Sequence, residues 1–207
     1  MAESRASAAA RPRRVSARRR GPVLERAILD AVLDQLGTVG WSGLTMEGVA
    51  AGAGTGKAAV YRRWSSKEEL VVDALRTGLP ELDDAPDHGD VREDLYRLCL
   101  RVRESMYSRP GFALRSLLHE CDSATAVRFQ QLLLTVLIEP LTRLFRDVVR
   151  RAVARGEVRA EALHEMVIDV IPAMLMYRSK VCGSEWDASD IADLIDRVMV
   201  PLLRPRR

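Results

Sequence analysis

This 207-residue chain has no long apolar run. Its longest, Val170 to Tyr177, is eight residues and contains Pro172. A membrane-spanning helix needs about 20 apolar residues, so no membrane partner is expected. Cysteine is scarce: Cys99, Cys121 and Cys182 lie far apart and are odd in number. A secreted disulfide framework does not fit, and a reduced, cytoplasmic setting is expected. The N-terminal end is basic but has no apolar stretch of the secretory type. Glycine (13 residues) and proline (9) are too few for a collagen-like or wholly disordered chain.

The usual signatures of catalysis are also missing. His88, His119 and His164 have no metal-ligand spacing with one another or with the cysteines. His119, Glu120 and Cys121 are adjacent rather than a helical turn apart, so they would not converge on one metal. Residues 52–57, GAGTGK, suggest a phosphate loop only superficially. Position 51 is Ala, Ala58 follows the lysine, and no strand precedes the loop. No enzyme activity, metal or cofactor is expected.

What the chain does have is an uneven charge. Residues 1–20 hold Arg5, Arg11, Arg13, Arg14, Arg18, Arg19 and Arg20 against Glu3, a local balance of +6. The chain's net charge is +3, so the remainder carries −3. Segment 1–20 has no periodicity and reads as disordered in the free protein. Two readings of it stand open: a solubilising start, or an arm that adds phosphate or minor-groove contacts.

Beyond residue 20 the pattern is helical. Pro22 suits a first turn, and Leu24, Ile28, Val32, Leu36 and Val39 follow at helical spacing. Thr45 is a good N-cap for a short helix carrying Met46, Val49 and Ala50. Gly52, Ala53 and Gly54 suit a tight turn. Lys57 to Trp64 then forms a second short helix. Ser66 with Glu69 reads as a capping box for a third, running to about Thr77 with Leu70, Val71, Ala74 and Leu75. Two short helices joined by a small-residue turn are a helix-turn-helix, whose second helix enters the DNA major groove. Trp64 suits a core anchor or a base-stacking side chain.

The breaker-rich, acidic stretch Pro80 to Gly89 reads as a linker. After it come stripes on Val91, Leu95, Leu98, Val102 and Met106. A short helix ends near Glu120, and a long one runs to Arg155, with Pro140 dividing it and Gly156 ending it. Two last helices span about Glu161 to Val181 and Ser189 to Leu203. The fold class is all-α with about nine helices. Expected domains are 1–20 as an arm, 21–78 as a helix-turn-helix DNA-binding domain and 79–207 as a larger helical domain.

Gly40-Trp41, Leu44-Thr45, Val49-Ala50, Gly54, Lys57, Tyr61, Trp64 and Ser66-Lys67-Glu68-Glu69-Leu70 resemble the tetracycline-repressor (TetR) family of transcriptional regulators. The likeness spans roughly residues 22–75, with a further match at Arg155-Gly156-Glu157-Val158-Arg159. It implies a homodimeric, sequence-specific regulator, most readily a repressor, that binds a palindromic double-stranded operator and is released by a small molecule. The implied DNA contacts are Thr45, Thr55, Gly56, Lys57, Ala58, Tyr61, Arg62, Arg63 and Lys67. Arg62 is the favoured base or phosphate contact, because bidentate arginine–guanine pairing is the commonest specific one. Two departures stand out: Ala59 removes a hydroxyl often present in the family, and Thr55 replaces an apolar turn residue.

The resemblance also implies an effector cavity in the larger domain. Cys99, Val102, Met106, Phe129, Leu133, Ala173 and Tyr177 are candidate lining residues, with His119 and Asp169 as polar orienters. Each of these has an ordinary core or surface reading beside it. A hydrophobic or amphipathic ligand would suit such a lining. The dimer interface is expected on the last two helices, through Met174, Ile191, Leu194, Ile195, Val198 and Leu202. The rival class is a helical interaction protein that binds nucleic acid without sequence preference through its basic segment.

Overall fold

Apolar side chains recurring every third or fourth residue become the buried stripes of a wholly helical structure. The computed structural model describes residues 21–120, 129, 134–178 and 185–204, and no strand occurs among them. Segment 1–20, Leu133, Cys121, Cys182 and the expected helix end at Val181 lie outside the described residues.

Helix α1 (Pro22–Gly43) opens with proline in its first turn and buries Leu24, Ile28, Val32 and Leu36. Val39, expected in the same stripe, is exposed. The helical course ends just after it: Gly40, with a φ of +69°, kinks α1, and Gly40 and Trp41 are buried beyond that point. Helices α2 (Met46–Gly52), α3 (Lys57–Tyr61) and α4 (Lys67–Gly78) follow. Leu70, Val71, Ala74 and Leu75 are buried on α4, as their spacing requires.

Residues 79–90 carry no helix, yet they are pinned. Arg101 binds Asp84, Arg151 donates to the carbonyl of Ala85, and Arg155 pairs with Asp87. Helix α5 (Val91–Met106) starts on the Asp90 cap, whose carboxylate accepts the Glu93 N–H at 2.8 Å. Helix α6 (Arg109–Glu120) includes Pro110 in its first turn rather than starting after it. Gly111 is what allows α6 to follow α5 so closely. A Cβ there would stand 2.1 Å from the Ser105 carbonyl oxygen.

A π-helical turn (Leu134–Ile138) leads into α7 (Glu139–Ala154), with Pro140 in the first turn of α7. Leu141, Leu144, Phe145, Val148, Val149 and Ala152 form its buried face. The long helix expected from Glu161 is broken into a 3₁₀ turn (Ala160–Ala162), α8 (Glu165–Ile168) and α9 (Val170–Tyr177). The final helix is α10 (Ala188–Leu194), a π-helical turn (Ile195–Met199) and α11 (Val200–Leu203).

Two apolar cores result. The first joins α1, α2, α3, α4 and α6, with Phe129 added. The second joins α5, α7, α8, α9, α10 and α11, with Trp186. Met106 packs against both. Chain order sets α6 beyond the linker, but Ala113, Leu114 and Leu117 bury it against the helix-turn-helix core.

Candidate nucleic-acid interface

The turn between α2 and α3 is set by backbone chemistry. Thr45 caps α2, its Oγ1 accepting the Gly48 N–H at 3.0 Å. That bond uses an acceptor lone pair and leaves the exposed hydroxyl proton available. At the other end Thr55 N–H reaches the Ala50 carbonyl (2.9 Å) and Gly54 N–H reaches that of Ala51 (3.0 Å). This pair of bonds is a Schellman closure, which needs a left-handed residue at Gly54 (φ +66°).

Helix α3 is therefore held at a fixed angle on the core. Ala59, Val60 and the following Trp64 are buried, and Trp64 Nε1 donates to Asp73 at 2.9 Å. Trp64 is thus an anchor. Ala59 faces inward, so a hydroxyl there would not reach solvent from this backbone. Thr55 is half-buried, and the apolar turn contact comes from Ala53. Gly56, Lys57, Ala58, Tyr61 and Arg62 form the exposed surface of α3 and its end. The helix stops at Tyr61, earlier than its spacing suggests.

The cations differ in freedom. The Arg62 backbone N–H reaches the Ala58 carbonyl at 3.3 Å, but its guanidinium has no hydrogen-bond or ion-pair partner among the described residues. Arg63 is half-buried, donating to the Ala59 carbonyl at 3.3 Å and pairing with Glu25 of α1 at 3.8 Å. Lys57 pairs with Glu47 of α2 and lies 5.4 Å from the centre of the Tyr61 ring. Hydrogen bonding to Glu47 raises the Lys57 pKa and lowers that of Glu47. Both groups are exposed, so water screens the pair and a phosphate can compete for the lysine.

Lys67 is committed inward. Its ammonium donates to the Trp41 carbonyl at 2.8 Å and sits 3.8 Å from the centre of that ring. Partial burial lowers its pKa, opposed by the charges of Glu68 and Glu120. The expected capping box is displaced by one residue. Ser66 Oγ accepts the Glu69 N–H at 3.1 Å, while the Glu69 carboxylate takes the Ser65 N–H at 2.8 Å.

Two carboxylates at this face have partners that no local spacing signals. Glu47 competes for Lys57. Glu120 closes α6 onto Trp41 and Ser42 across 79 and 78 residues of sequence, a separation no local pattern signals. Arg109 ties the other end of α6 to α1, at 2.7 Å from Asp34.

The eight described candidate effector residues are not gathered in one place. Cys99 and Val102 are buried in the second core, and burial pushes the Cys99 thiol up to about 12, so it is neutral. Met106 bridges the two cores, and Phe129 sits in the first, edge-on to Trp41 at 4.8 Å. His119, Asp169, Ala173 and Tyr177 are exposed. The expected dimer residues also divide. Ile191, Leu194 and Ile195 face the protomer's own core, because α10 packs on α5. Met174 and Leu202 are half-buried and Val198 is exposed.

Comparison with known proteins agrees with this geometry. Residues 28–74 match the profile of bacterial regulatory proteins of the tetR family, and residues 85–198 that of the tetracyclin repressor-like C-terminal domain. The chain is 31% identical over 191 residues to the DNA-binding transcriptional repressor TetR of Mycobacteroides abscessus, covering 90% of this chain and 97% of that one. It is 30% identical over 179 residues to an uncharacterised HTH-type transcriptional regulator of Mycobacterium tuberculosis, covering 86% and 87%. A crystallised TetR transcriptional regulator from Agrobacterium tumefaciens shares the fold, with a TM-score of 0.61, 19% identity, and coverage of 89% and 95%. The chain belongs to the TetR family: it is a transcriptional regulator whose helix-turn-helix binds DNA.

Proposed function

We propose that the chain is a homodimeric repressor that reads a palindromic operator through α3 and is released by a small hydrophobic or amphipathic ligand. In this reading residues 21–78 bind DNA and residues 79–207 bind the ligand and the second copy. The observation that carries it is the Arg62 guanidinium: exposed, unpartnered among the described residues, and beside Tyr61 and Lys57 at the end of a helix fixed by buried Val60 and Trp64. An unpaired cation can pair with a guanine edge without first breaking an internal bond. The name of the Mycobacteroides relative supports a repressor.

The dimer reading rests on uncovered apolar surface. On α9 only Ile171 is buried, while Met176 (42%) and Tyr177 (52%) are exposed, as is Val198 (37%) on the last helix. A second copy of these faces would remove that surface from water. The effector reading rests on the family and on α6. That helix belongs to the first core by packing and follows directly on α5 of the second, so a ligand that moved α5 would displace it. The test is a panel of hydrophobic and amphipathic compounds against the protein–operator complex. A compound that raises the melting temperature and releases DNA supports the reading. A panel that changes neither counts against it.

A further inference from the structure

We propose that the effector is an amphipathic acid, and that Arg115 on α6, beside Arg103 and Tyr107 at the end of α5, receives its carboxylate. The proposal rests on the effector reading above and names the ligand's chemical class. It starts from buried donors that lack an acceptor. Arg115 Nη1 is shielded from water and makes no hydrogen bond, and the same holds for the indole Nε1 of Trp186. Trp186 is only 7% exposed. A buried donor without an acceptor is costly, and a cationic one more so.

Both donors belong to side chains that border one tyrosine. The Arg115 guanidinium lies 4.7 Å from the centre of the Tyr107 ring and 5.3 Å from that of Phe112. Arg103 lies 4.8 Å from the centre of the same Tyr107 ring, and its Nε donates to the Trp186 carbonyl. The Trp186 backbone N–H donates to the Tyr107 hydroxyl at 3.2 Å. An aromatic ring attracts a guanidinium but offers no oxygen lone pair to its N–H groups.

Nearby acids are already engaged. Asp187 lies within reach of the Arg103 charge, but its carboxylate caps α10 by accepting from Ser189 and Asp190. Asp190 pairs with Arg178 at 3.3 Å. Neither Arg103 nor Arg115 forms an ion pair among the described residues. A ligand carboxylate supplies what is missing, because its two oxygens match the fork of a guanidinium. Tyr107 and Phe112 offer apolar surface to the rest of such a ligand.

The place suits control of DNA binding. Met106, next to Tyr107, packs against both cores. Arg115 shares α6 with Glu120, which holds Trp41 and Ser42 of α1. An anion shared by Arg103 and Arg115 would draw α6 against α5, and α6 would carry that shift to the helix-turn-helix core.

The probes are decanoate and 2-naphthoate, each compared with its neutral counterpart, decanol or 2-naphthol. Calorimetry measures binding to the full chain, and fluorescence anisotropy measures release of the selected operator. Each acid should bind at least about tenfold more tightly than its alcohol, since a hydrogen bond to a charged group supplies that much. Arg115→Met keeps an apolar stem and removes the charge. Its acid affinity should fall to that of the alcohol, with alcohol affinity and melting temperature unchanged. Arg115→Lys should keep part of the preference. The wild-type comparison decides the matter even where Arg115→Met is unstable. Acids that bind no better than the alcohols, or a preference that survives Arg115→Met, overturn the proposal. Release of the operator by any neutral compound would then leave the effector reading standing. Should no compound of the whole panel bind, the effector reading fails and this proposal fails with it.

Discussion

Glu120, the last residue of α6, accepts the backbone N–H of Trp41 at 3.0 Å through Oε1 and that of Ser42 at 2.9 Å through Oε2. One carboxylate thus recloses the kink that Gly40 opens in α1. Gly40 is favoured by its φ of +69°, and a Cβ there, 1.7 Å from Glu120 Oε1, would push that carboxylate out of these two bonds. Trp41 is held from every side: Glu120 on its N–H, Lys67 on its carbonyl and ring face, and Phe129 on its ring edge. Removing the carboxylate by Glu120→Ala is expected to cost about 1 kcal/mol, the low side for charged hydrogen bonds because the group is exposed. Thermal unfolding should register this as a drop of about 2–4 °C.

The same bonds set a pH dependence. The Ser42 N–H is the largest cause that lowers the Glu120 pKa from its ordinary value of 4.5. A carboxylate depressed in the folded state stabilises the fold above its unfolded pKa, and that contribution fades as pH falls through the folded value. The melting-temperature gap between wild type and Glu120→Gln should be full at neutral pH and shrink progressively as pH falls below about 4.5. A gap constant with pH would mean that the charge of Glu120 contributes nothing.

Close packing of α6 on α5 makes a second prediction. Gly111→Ala places a methyl 2.1 Å from the Ser105 carbonyl, and backbone cannot rotate away as a side chain can. Gly54→Ala has open space around it and costs only left-handed strain, about 1–2 kcal/mol. Urea denaturation should therefore rank Gly111→Ala as clearly the more damaging of the two.

On the DNA face, Arg62→Ala should weaken operator binding by about 1–3 kcal/mol, roughly 5- to 150-fold, and relax preference at one base position. Lys57→Ala should weaken all sequences alike and lower the salt slope by about 1. Glu47→Gln should tighten binding, because it frees Lys57 from its internal partner. Anisotropy titrations at several salt concentrations separate the three.

The apolar face of α9 and the last helix predicts a contrast between two substitutions. Val198→Glu should convert the proposed dimer to a folded monomer. Ile195→Glu should unfold the protomer, since Ile195 is fully buried in the second core. Sedimentation with circular dichroism reads both outcomes.

The helix-turn-helix was legible because its signals are local. Thr45, Gly54 and Ser66 act within five residues of themselves, and Val60 and Trp64 are buried as their spacing demands. Tertiary features were not legible. Ile191, Leu194 and Ile195 make a helical stripe whether they meet a second copy or their own core, and only the packing of α10 on α5 decides between them. Lys67 reads as a phosphate contact in sequence but is turned to Trp41, 26 residues away. Val39 is exposed although its spacing fits the stripe, in the last turn before the Gly40 kink.

The central claim is sequence-specific reading of DNA by a dimer. Its most direct test is selection of bound duplexes from a random library by the purified protein at near-physiological salt. The account predicts enrichment of an inverted repeat, with one half-site for each α3, and loss of that enrichment in Arg62→Ala. Salt-sensitive binding with no enriched repeat would contradict it.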